Sequence, residues 1–408
     1  MERETTVIVG GGAAGFFAAI HVAEARPTDR VVILERGRTV LDKVRISGGG
    51  RCNVTHACWD PRELIRYYPR GGKELLGPFH KFACGDTMAW FEDRGIPLKI
   101  EEDGRVFPQS DTSASIVGCL ERQAKRSGVE VITGTRVTGC TAPAPRREKW
   151  IVHTSGGELP ADRLVVTSGS NPAVWQWLGE LGHTIVPPVP SLFAFNVPEP
   201  ELRQLAGISV PWAGVRLSEP ALAAEGPLLI THKGLSGPAV LRLSAWGARE
   251  LHPLTYNFSV AVNWTNQREQ DALDELKLAR QDRSRQQVAT RPLYSLPQRL
   301  WLYLVARAGI DGQQQWAQLS NGHLQSLARS LVASEHRVTG KATNKDEFTT
   351  AGGVSLQEIN FRDFRSKLYP SLYLAGEVLD VDAITGGFNF QAAWTGGFLI
   401  GAAVKTTP

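Results

Sequence analysis

The chain has few cysteines, and none of them is spaced in a way that suits a disulfide scaffold or a dithiol redox centre. Five occur among 408 residues, an odd number without a Cys-x-x-Cys pair: Cys52, Cys58, Cys84, Cys119 and Cys140. This pattern is typical of a protein that works in a reducing compartment. It excludes the class of small disulfide-stabilised secreted domains.

Other common signatures are also missing. The chain passes from Met1 into an apolar strand within a few residues, so we expect no secretory signal and a cytoplasmic location. The nine histidines are scattered without His-x-x-x-His spacing, so no metal site is predicted. Positive residues outnumber negative ones by 45 to 41, which argues neither for nor against an anionic partner.

One long uncharged stretch, residues 383–404, is long enough to span a bilayer. It also holds five glycines together with polar residues such as Thr385, Gln391 and Thr395. Glycine and polar side chains at this density are unfavourable in lipid. We therefore interpret the stretch as a glycine-rich turn followed by a buried core helix, and we expect no membrane partner.

The most informative motif lies at the start of the chain. Residues 7–20 predict a buried strand that ends at Gly10-x-Gly12-x-x-Gly15 and continues into an apolar helix. Gly10 permits a tight turn, Gly12 lets a pyrophosphate approach bare backbone, and Gly15 lets the helix pack closely on the strand. Glu35 ends the next strand, where a carboxylate accepts hydrogen bonds from ribose hydroxyls. The predicted dinucleotide-binding positions are Gly10, Gly12, Ala13, Ala14, Gly15 and Glu35.

A second glycine-rich stretch spans residues 43–55, which we predict to form a long loop. Three consecutive glycines there can lie flat against a planar or anionic ligand. Lys43 and Arg51 are candidate charge partners for a phosphate or a reduced cofactor ring, and Asn53 offers a donor and an acceptor. Cys52 fits either a small buried hydrophobe or a reactive thiol. The ligand contacts predicted here are Lys43, Gly48, Gly49, Arg51, Cys52 and Asn53.

A third stretch near the carboxyl end combines a predicted buried strand, residues 371–375, with glycines and acids. A carboxylate directly after this strand can approach ribityl hydroxyls or water bound to a pyrophosphate. A glycine pair then starts a helix whose amino terminus suits the negative charge that develops on a reduced flavin, which favours FAD over NAD. A purely structural Gly-Gly turn is the alternative. The predicted contacts are Gly376, Glu377, Asp380, Gly386, Gly387, Phe388 and Asn389.

The alternation of strands and helices stops near residue 190 and returns after residue 345. We predict an α/β fold, with a discontinuous FAD-binding domain over residues 1–190 and 345–408. The inserted domain, residues 191–344, is predicted to be β-rich over 191–262 and mainly helical over 265–334. No second Gly-x-Gly-x-x-Gly follows a strand, so NADH or NADPH would visit the flavin only transiently.

These stretches, with residues 226–241 and 350–354, resemble the bacterial BaiN/RdsA-type flavoprotein family, also described as NAD(P)/FAD-dependent oxidoreductases or aminoacetone-oxidase-like proteins. The resemblance covers nearly the whole chain and implies a Rossmann-like, two-dinucleotide-type FAD domain with an inserted domain. It implies that the segment that follows Ser168 and Gly169 borders the flavin. Here that segment is shorter than is usual in the family, so we expect a pocket of different shape. The FAD contacts implied are Gly10, Gly12, Gly15, Glu35, Arg36, Lys43, Ser47, Gly49, Arg51, Val137, Gly169, Gly376, Glu377, Asp380, Gly387 and Asn389.

We expect an FAD-dependent oxidoreductase that transfers hydride between bound flavin and an electron-poor double bond, with NAD(P)H as reductant. Candidate general acids are Cys52 and two residues of a family-like loop, His232 and Lys233. Three alternatives stay open. They are reduction of uridine to dihydrouridine in ribosomal RNA, amine oxidation, and a non-enzymatic flavin sensor.

The inserted domain contains a basic stretch, residues 277–307, in which seven basic residues face one acidic residue. Tyr294, Trp301 and Tyr303 are interleaved with them. Basic residues with aromatics suit a nucleic-acid surface, but a solvated helix with a buried aromatic face gives the same pattern. The partner is therefore a small-molecule substrate or ribosomal RNA, and the oligomeric state is left open.

Overall fold

The first apolar run forms a buried strand, and the glycines after it lead into a helix without a side-chain cap. The structure is a computed structural model and describes residues 3–144, 148–342 and 349–406. Contacts divide the chain into two units: Met1–Val189 with Lys345–Pro408, called the cofactor unit after the FAD-binding domain predicted there, and the insert unit, Pro190–Asn344.

The cofactor unit begins with eleven strands and seven helices, and β11 runs on into the insert unit. The strands are β1 (Thr5–Val9), β2 (Arg30–Leu34), β3 (Thr55–His56), β4 (Leu98–Ile100), β5 (Arg105–Pro108), β6 (Glu130–Ile132), β7 (Val137–Thr141), β8 (Trp150–Thr154), β9 (Gly157–Ala161), β10 (Arg163–Val166) and β11 (Ile185–Ser191). The helices are α1 (Ala13–Ala25), α2 (Asp42–Gly50), α3 (Pro61–Leu64), α4 (Gly72–Phe79), α5 (Cys84–Glu92), α6 (Ser113–Arg126) and α7 (Pro172–Glu180).

The insert unit is built on an antiparallel sheet with helices. Its strands are β12 (Ala194–Asn196), β13 (Ser209–Leu217), β14 (Leu222–Thr231), β15 (Gly234–Ser236), β16 (Asn257–Asn263), β17 (Ser334–Thr339) and β18 (Lys341–Ala342). Its helices are α8 (Pro200–Arg203), α9 (Pro238–Trp246), α10 (Ala248–Leu251), α11 (Glu269–Asp282), α12 (Gln298–Arg307) and α13 (Asn321–Val332). The strand order is β17-β16-β13-β14-β15-β12-β18, and the core beneath includes Phe195, Trp301 and Trp316.

The chain returns to the cofactor unit with β19 (Thr349–Val354), β20 (Ile359–Asn360), β21 (Arg365–Ser366), β22 (Leu372–Leu374) and α14 (Phe388–Thr406). The main sheet has the order β20-β21-β22-β10-β1-β2-β6. Strands β22, β10, β1, β2 and β6 run parallel, whereas β20 and β21 are antiparallel. Smaller sheets are formed by β3-β5-β4, β7-β8-β9 and β11-β19.

Helices α1 and α14 pack at unusually short range because glycines lie at their contact. A Cβ on Gly397 would lie 2.8 Å from the backbone nitrogen of Ala18, and one on Gly401 would lie 2.3 Å from the Cβ of His21. Backbone therefore meets backbone along this interface. The carboxyl-terminal helix is thereby fixed on the first helix of the chain.

Two predicted elements match the structure and one differs. Helix α1 occupies residues 13–25 as expected, and the uncharged stretch near the carboxyl end forms a glycine turn and α14. The predicted loop over residues 43–55 instead starts with α2, which is interrupted by non-helical backbone from Ser47 to Gly49. Strand β8 forms a hairpin with β9, whereas β10 pairs with β1 in the main sheet.

None of the helices in the described part of the chain combines the length and apolar character needed to cross a membrane.

We predict that Gly401→Ala destabilises the protein by about 1–3 kcal/mol, because the new methyl group overpacks the α1–α14 contact. The matched control is Gly179→Ala at an exposed position of α7, where the nearest atom to the new Cβ, on Ile185, is 3.8 Å away. Urea unfolding of both variants measures the difference. Equal free energies of unfolding for the two variants would contradict close packing at Gly401.

Candidate functional site

Four segments of the cofactor unit meet at one edge of the main sheet. Strands β1, β2, β10 and β22 are parallel and adjacent in register, so their carboxyl ends lie side by side. These ends lead into Gly10, Glu35, Thr167 and the Gly376-Glu377 pair, respectively. Ligands of open α/β sheets bind outside the carboxyl ends of the strands. The sequence motifs are thus brought together where this fold binds ligands.

The glycine motif forms a turn that only glycine can form. Gly10 has a φ of +108°, and a Cβ on Gly15 would lie 2.0 Å from the carbonyl oxygen of Gly10. The hydroxyl of Thr167 donates to that same carbonyl at 3.1 Å, which ties β10 to the turn. Gly12 differs, because no atom lies within 4 Å of the position of its Cβ. Bare backbone at the start of α1 therefore faces open space.

The amino end of α1 adds donors to this open space. The first amides of an α-helix, here those of Ala13, Ala14 and Gly15, have no acceptor within the helix. They carry the positive end of the helix dipole. Neither an acidic residue nor a capping side chain occupies the first turn. The position is suited to an anionic group such as a pyrophosphate.

Glu35 is held at the end of β2 by backbone amides. Its carboxylate oxygens accept hydrogen bonds from Gly11 at 2.8 Å and from Gly37 at 2.7 Å. The backbone carbonyl of Glu35 accepts a hydrogen bond from the amide of Thr135. This contact places the start of β7, which includes the buried Val137, next to Glu35. Arg36 is exposed beside it. The carboxylate keeps lone pairs for further donors such as ribose hydroxyls.

A second group of predicted residues forms a charged pair at the same edge. The ammonium of Lys43 donates to Glu377 at 2.5 Å, with side chains 51% and 18% exposed, respectively. A Cβ on Gly169 would lie 3.6 Å from the same carboxylate oxygen of Glu377, and one on Gly376 would lie 3.3 Å from the Cβ of Ala14. The structure thus joins residues from α2, β10, β22 and α1. Neighbouring Ser168 is half-buried.

Arg51 is engaged elsewhere. Its guanidinium forms ion pairs with Glu101 at 2.6 Å and Asp111 at 3.4 Å, and it lies 3.9 Å from the centroid of the Phe107 ring. The bonds from Lys99 and Arg51 lower the pKa of the exposed Asp111 carboxyl. In the structure Arg51 thus contacts acids on and near the β3-β5-β4 sheet, and its role as a phosphate partner stays a prediction.

The glycine stretch at the end of α2 leaves part of its backbone open. Gly48 and Gly49 have φ values of +57° and +70°, and no atom lies within 4 Å of the Cβ position of Gly49. The Ser47 hydroxyl donates to the carbonyl of Val44 at 3.0 Å. Asn53, oriented so that both ends of its amide are satisfied, donates to the Thr55 carbonyl and accepts from the Gly387 amide. Its amide therefore ties this stretch to the amino end of α14.

Cys52 is fully buried, and burial raises the pKa of its thiol to about 12. Its φ of +64° is unusual for a residue with a side chain. A thiol in this environment stays protonated and shielded from solvent. The structure thus favours the buried hydrophobe over the reactive thiol, and it weighs against Cys52 as a general acid.

The turn before α14 is also tightly packed. Gly387 has a φ of +90°, and its Cβ would lie 2.6 Å from the backbone of Thr55. Gly386, with a φ of +129°, lies against the rings of Phe388 and His56. The side-chain amide of Asn389 accepts from the Ala383 amide and donates to the Ala383 carbonyl, so it closes the turn. The amide of Asp380 donates to the Val354 carbonyl in β19.

His232 and Lys233 lie in the insert unit on the tight turn between β14 and β15, and both are exposed. The hydroxyl of Thr231 accepts from the amide of Lys233 at 3.3 Å, which shapes the turn. Nothing in the geometry of the turn assigns these two side chains to chemistry. Their role as acids stays a prediction.

A segment around residues 67–72, which carries no recognised motif, packs on the turn before α14. Arg70 forms a two-pronged ion pair with Asp382, and the hydroxyl of Tyr68 donates to the Phe388 carbonyl at 2.5 Å. The Tyr67 ring stacks on that of Phe388 at 4.3 Å. The Gly71-Gly72 pair was the signal for a close approach at this point, since a Cβ on Gly71 would lie 2.6 Å from Val381.

The residues fit an FAD cofactor. The open backbone at Gly12, the unfilled first turn of α1 and the open face of Gly49 leave room and donors for a dinucleotide. Glu35 lies at one end of this edge and the Glu377 segment at the other. No cluster of metal-ligating side chains occurs among residues 3–144, 148–342 and 349–406.

A family model described as the HI0933-like protein Rossmann domain matches residues 4–403. The chain belongs to this family. The match confirms the resemblance drawn from the sequence and the prediction of a Rossmann-type FAD-binding fold. This member of the HI0933-like family is thus an FAD-dependent oxidoreductase.

Two curated relatives match along almost their whole length. The 3-dehydro-bile acid delta(4,6)-reductase of Clostridium scindens is 28% identical over 412 residues, 98% of this chain and 99% of that protein. The ribosomal RNA dihydrouridine synthase of Escherichia coli is 28% identical over 410 residues, 97% of this chain and 96% of that protein. Among solved structures, the 3-ketosteroid-delta4-(5alpha)-dehydrogenase of Rhodococcus jostii RHA1 covers 100% of this chain and 98% of its own. Its TM-score of 0.52 at 13% identity shows a shared fold.

We predict that Cys52 resists alkylation in the native protein near neutral pH. With a pKa of about 12, roughly one thiol in 10⁴ is ionised at pH 8, and reactivity rises only toward strongly alkaline pH. Iodoacetamide labelling followed by peptide mass spectrometry measures this, with the urea-unfolded protein as control. Native labelling of Cys52 at pH 8 at the rate seen in urea would contradict its burial.

Proposed function

We propose that the protein holds FAD at the carboxyl edge of its parallel sheet and reduces an electron-poor carbon–carbon double bond of its substrate with electrons from NADH or NADPH. The observation that carries the proposal is the meeting of Gly12, Glu35, Gly169 and Glu377 at this one edge. The flavin, when bound, supplies hydride chemistry that no protein side chain offers.

Each part of the edge suits one part of the cofactor. The amides of the first turn of α1 would bind the pyrophosphate, and the Glu35 carboxylate would accept from the adenosine ribose. Glu377 would accept hydrogen bonds from ribityl hydroxyls, while its ion pair with Lys43 compensates the negative charge of its carboxylate. The amino end of α14 would favour the negative charge that reduction places on the ring.

The names of the relatives support reduction over amine oxidation. A delta(4,6)-reductase and a dihydrouridine synthase both add hydrogen across a carbon–carbon double bond. In uridine this bond is conjugated to a carbonyl group, which makes it a hydride acceptor. The shared chemistry supports an electron-poor double bond as the reacting group here.

The fold supports a transient visit by the nicotinamide. The described strands of the insert unit pair only antiparallel and form no strand–helix–strand unit of the dinucleotide-binding type. The cofactor unit has one such motif, at Gly10 to Gly15. The reductant would therefore reach the flavin directly and leave before the substrate enters.

We predict that the FAD-loaded protein is bleached by NADH or NADPH without oxygen, and that a conjugated enone or uridine-containing RNA restores its absorbance. Gly12→Asp should lose FAD, because its carboxylate would occupy the open space meant for a phosphate. Its apoprotein should unfold at the same temperature as the wild-type apoprotein, since no atom lies near the new side chain. Visible absorbance and thermal unfolding measure the two effects.

Gly12→Ala is the matched control and should keep measurable flavin. If both nicotinamides leave the bound flavin fully oxidised, the reductant in this proposal is wrong. If Gly12→Asp retains FAD as well as Gly12→Ala does, the assigned phosphate position is wrong.

A second candidate substrate, uridine in ribosomal RNA, is favoured by unneutralised charge in the insert unit. Residues 283–299 contain four arginines and no acid. Arg283 donates to the Arg291 carbonyl at 3.3 Å, and Arg299 donates to the Gln204 carbonyl. Within the described residues, neither these two nor the exposed Arg285 and Arg291 form an ion pair with a carboxylate. Backbone carbonyls orient a guanidinium but leave its charge available to a phosphate.

The aromatic residues of this stretch do not add a stacking surface. Trp301 is fully buried, and its indole donates to the Val288 carbonyl at 2.8 Å. Tyr303 donates to Glu199 at 3.2 Å, and burial raises the pKa of its hydroxyl to about 12. Any RNA contact here would be electrostatic and independent of base stacking.

We predict that the triple variant R283Q/R285Q/R291Q binds a ribosomal RNA fragment more weakly than wild type. Its binding should also depend less on salt, so that the slope of log K against log salt is smaller in magnitude by about 2–3. The control is R268Q/K277Q/R329Q, which removes three positive charges that are each paired with an acid. Salt titrations of RNA binding measure the difference.

Expression in an Escherichia coli strain without its ribosomal RNA dihydrouridine synthase tests the substrate. RNA mass spectrometry should show restored dihydrouridine with wild type and the control, and less with the test variant. An unmodified RNA in every case would rule out this substrate and leave the small-molecule reduction standing.

A further inference from the structure

We propose that Arg70, Asp382 and Tyr68 are positioning residues that hold the amino end of α14 in place for the flavin and thereby set its reduction potential. The inference rests on the FAD site of the proposed function and goes beyond it, because these three side chains belong to no cofactor-binding motif. It follows from how the turn before α14 is anchored.

The turn spans residues 381–387 and depends on a buried charge. Asp382 is fully buried, and the Arg70 side chain is 13% exposed. The guanidinium donates through Nε and Nη2 to both carboxylate oxygens, and the two residues also form an antiparallel bridge. A buried carboxylate is stable only when its partner stays in place. The pair therefore fixes the turn in one position relative to residue 70.

Neighbours on the same short segment hold the rest of the turn. The amide of Ile384 donates to the Tyr67 carbonyl at 3.0 Å, and the Tyr68 hydroxyl donates to the Phe388 carbonyl at 2.5 Å. The ring of Phe388 stacks on the ring of Tyr67, with centroids 4.3 Å apart, and on the ring of His56, with centroids 4.7 Å apart. Backbone hydrogen bonds and ring contacts thus both hold Phe388, the first residue of α14, in place.

The body of α14 does not need this clamp. Gly397 and Gly401 bring it against the backbone of α1, and Trp394 donates to the Val54 carbonyl at 2.9 Å. Loss of the Arg70–Asp382 pair should therefore shift the turn and the first amides while the rest of the helix stays packed. A displaced amino end gives the reduced, more negative flavin less stabilisation than the native position does.

The test compares Asp382→Asn with Arg163→Gln in the FAD-loaded protein. Arg163 pairs with Glu4 and Asp29 and is similarly buried, but it lies at the amino ends of the strands, opposite the site. We expect Asp382→Asn to bind FAD about tenfold more weakly, equivalent to ~1.4 kcal/mol, and to lower the flavin midpoint potential. Arg163→Gln should lose stability without either change.

Tyr68→Phe serves as the conservative second variant, because it removes one hydrogen bond and leaves the ring packing intact. Tyr68→Phe should also lower the flavin midpoint potential, but by less than Asp382→Asn does. Dye-coupled redox titration and flavin fluorescence measure potential and affinity, and thermal unfolding of each apoprotein records stability.

The proposal is overturned if Asp382→Asn and Tyr68→Phe keep the wild-type potential, or if Arg163→Gln shifts it as far as they do. If Asp382→Asn does not fold, Tyr68→Phe alone decides. None of these measurements uses a nicotinamide or a substrate. A failed reductase assay therefore leaves the result intact, and an unshifted potential leaves the reductase proposal intact.

Discussion

The close approach of backbone to backbone at glycine is the constraint on which this fold depends. Gly15 lets α1 rest on the carbonyl of Gly10, and that carbonyl also accepts from Thr167 at the end of β10. A methyl group at position 15 would therefore push α1 away from the ends of both β1 and β10. Gly397 and Gly401 repeat the principle on the other side of α1, where α14 is seated. The positions of the cofactor-binding segments follow from these contacts.

Charge in the site is compensated locally before any ligand arrives. Lys43 is paired with Glu377, Arg51 with Glu101 and Asp111, and Arg70 with Asp382. The helix amides therefore add positive character to the edge beyond that of these paired side chains. An edge of this type favours a ligand that carries both anionic and hydrogen-bonding groups, as FAD does.

The sequence predicted what depends on local chain geometry. The limits of α1, the Gly10 turn and the position of Glu35 follow from spacings of a few residues, because strand and helix periods and glycine conformations act over that range. The pairing of Lys43 with Glu377 and the clamp of Arg70 on Asp382 join residues more than 300 positions apart. Such contacts depend on the assembled sheet, and residue spacing carries no signal for them. Cys52 shows the same limit, since its burial decides between two roles that the sequence left open.

The proposed cofactor site draws on both ends of the chain, and this has a consequence for biosynthesis. The α1 turn emerges first from a ribosome, but β22, Glu377 and α14 come only after the whole insert unit has been made. Until then β10 lacks its second parallel neighbour, β22, and α1 exposes the apolar face that α14 later covers. The nascent amino-terminal part therefore lacks half of the proposed site, and it depends on release of the complete chain to bury this surface. A truncation that removes only the last helix would leave a protein open to aggregation rather than a smaller flavoprotein.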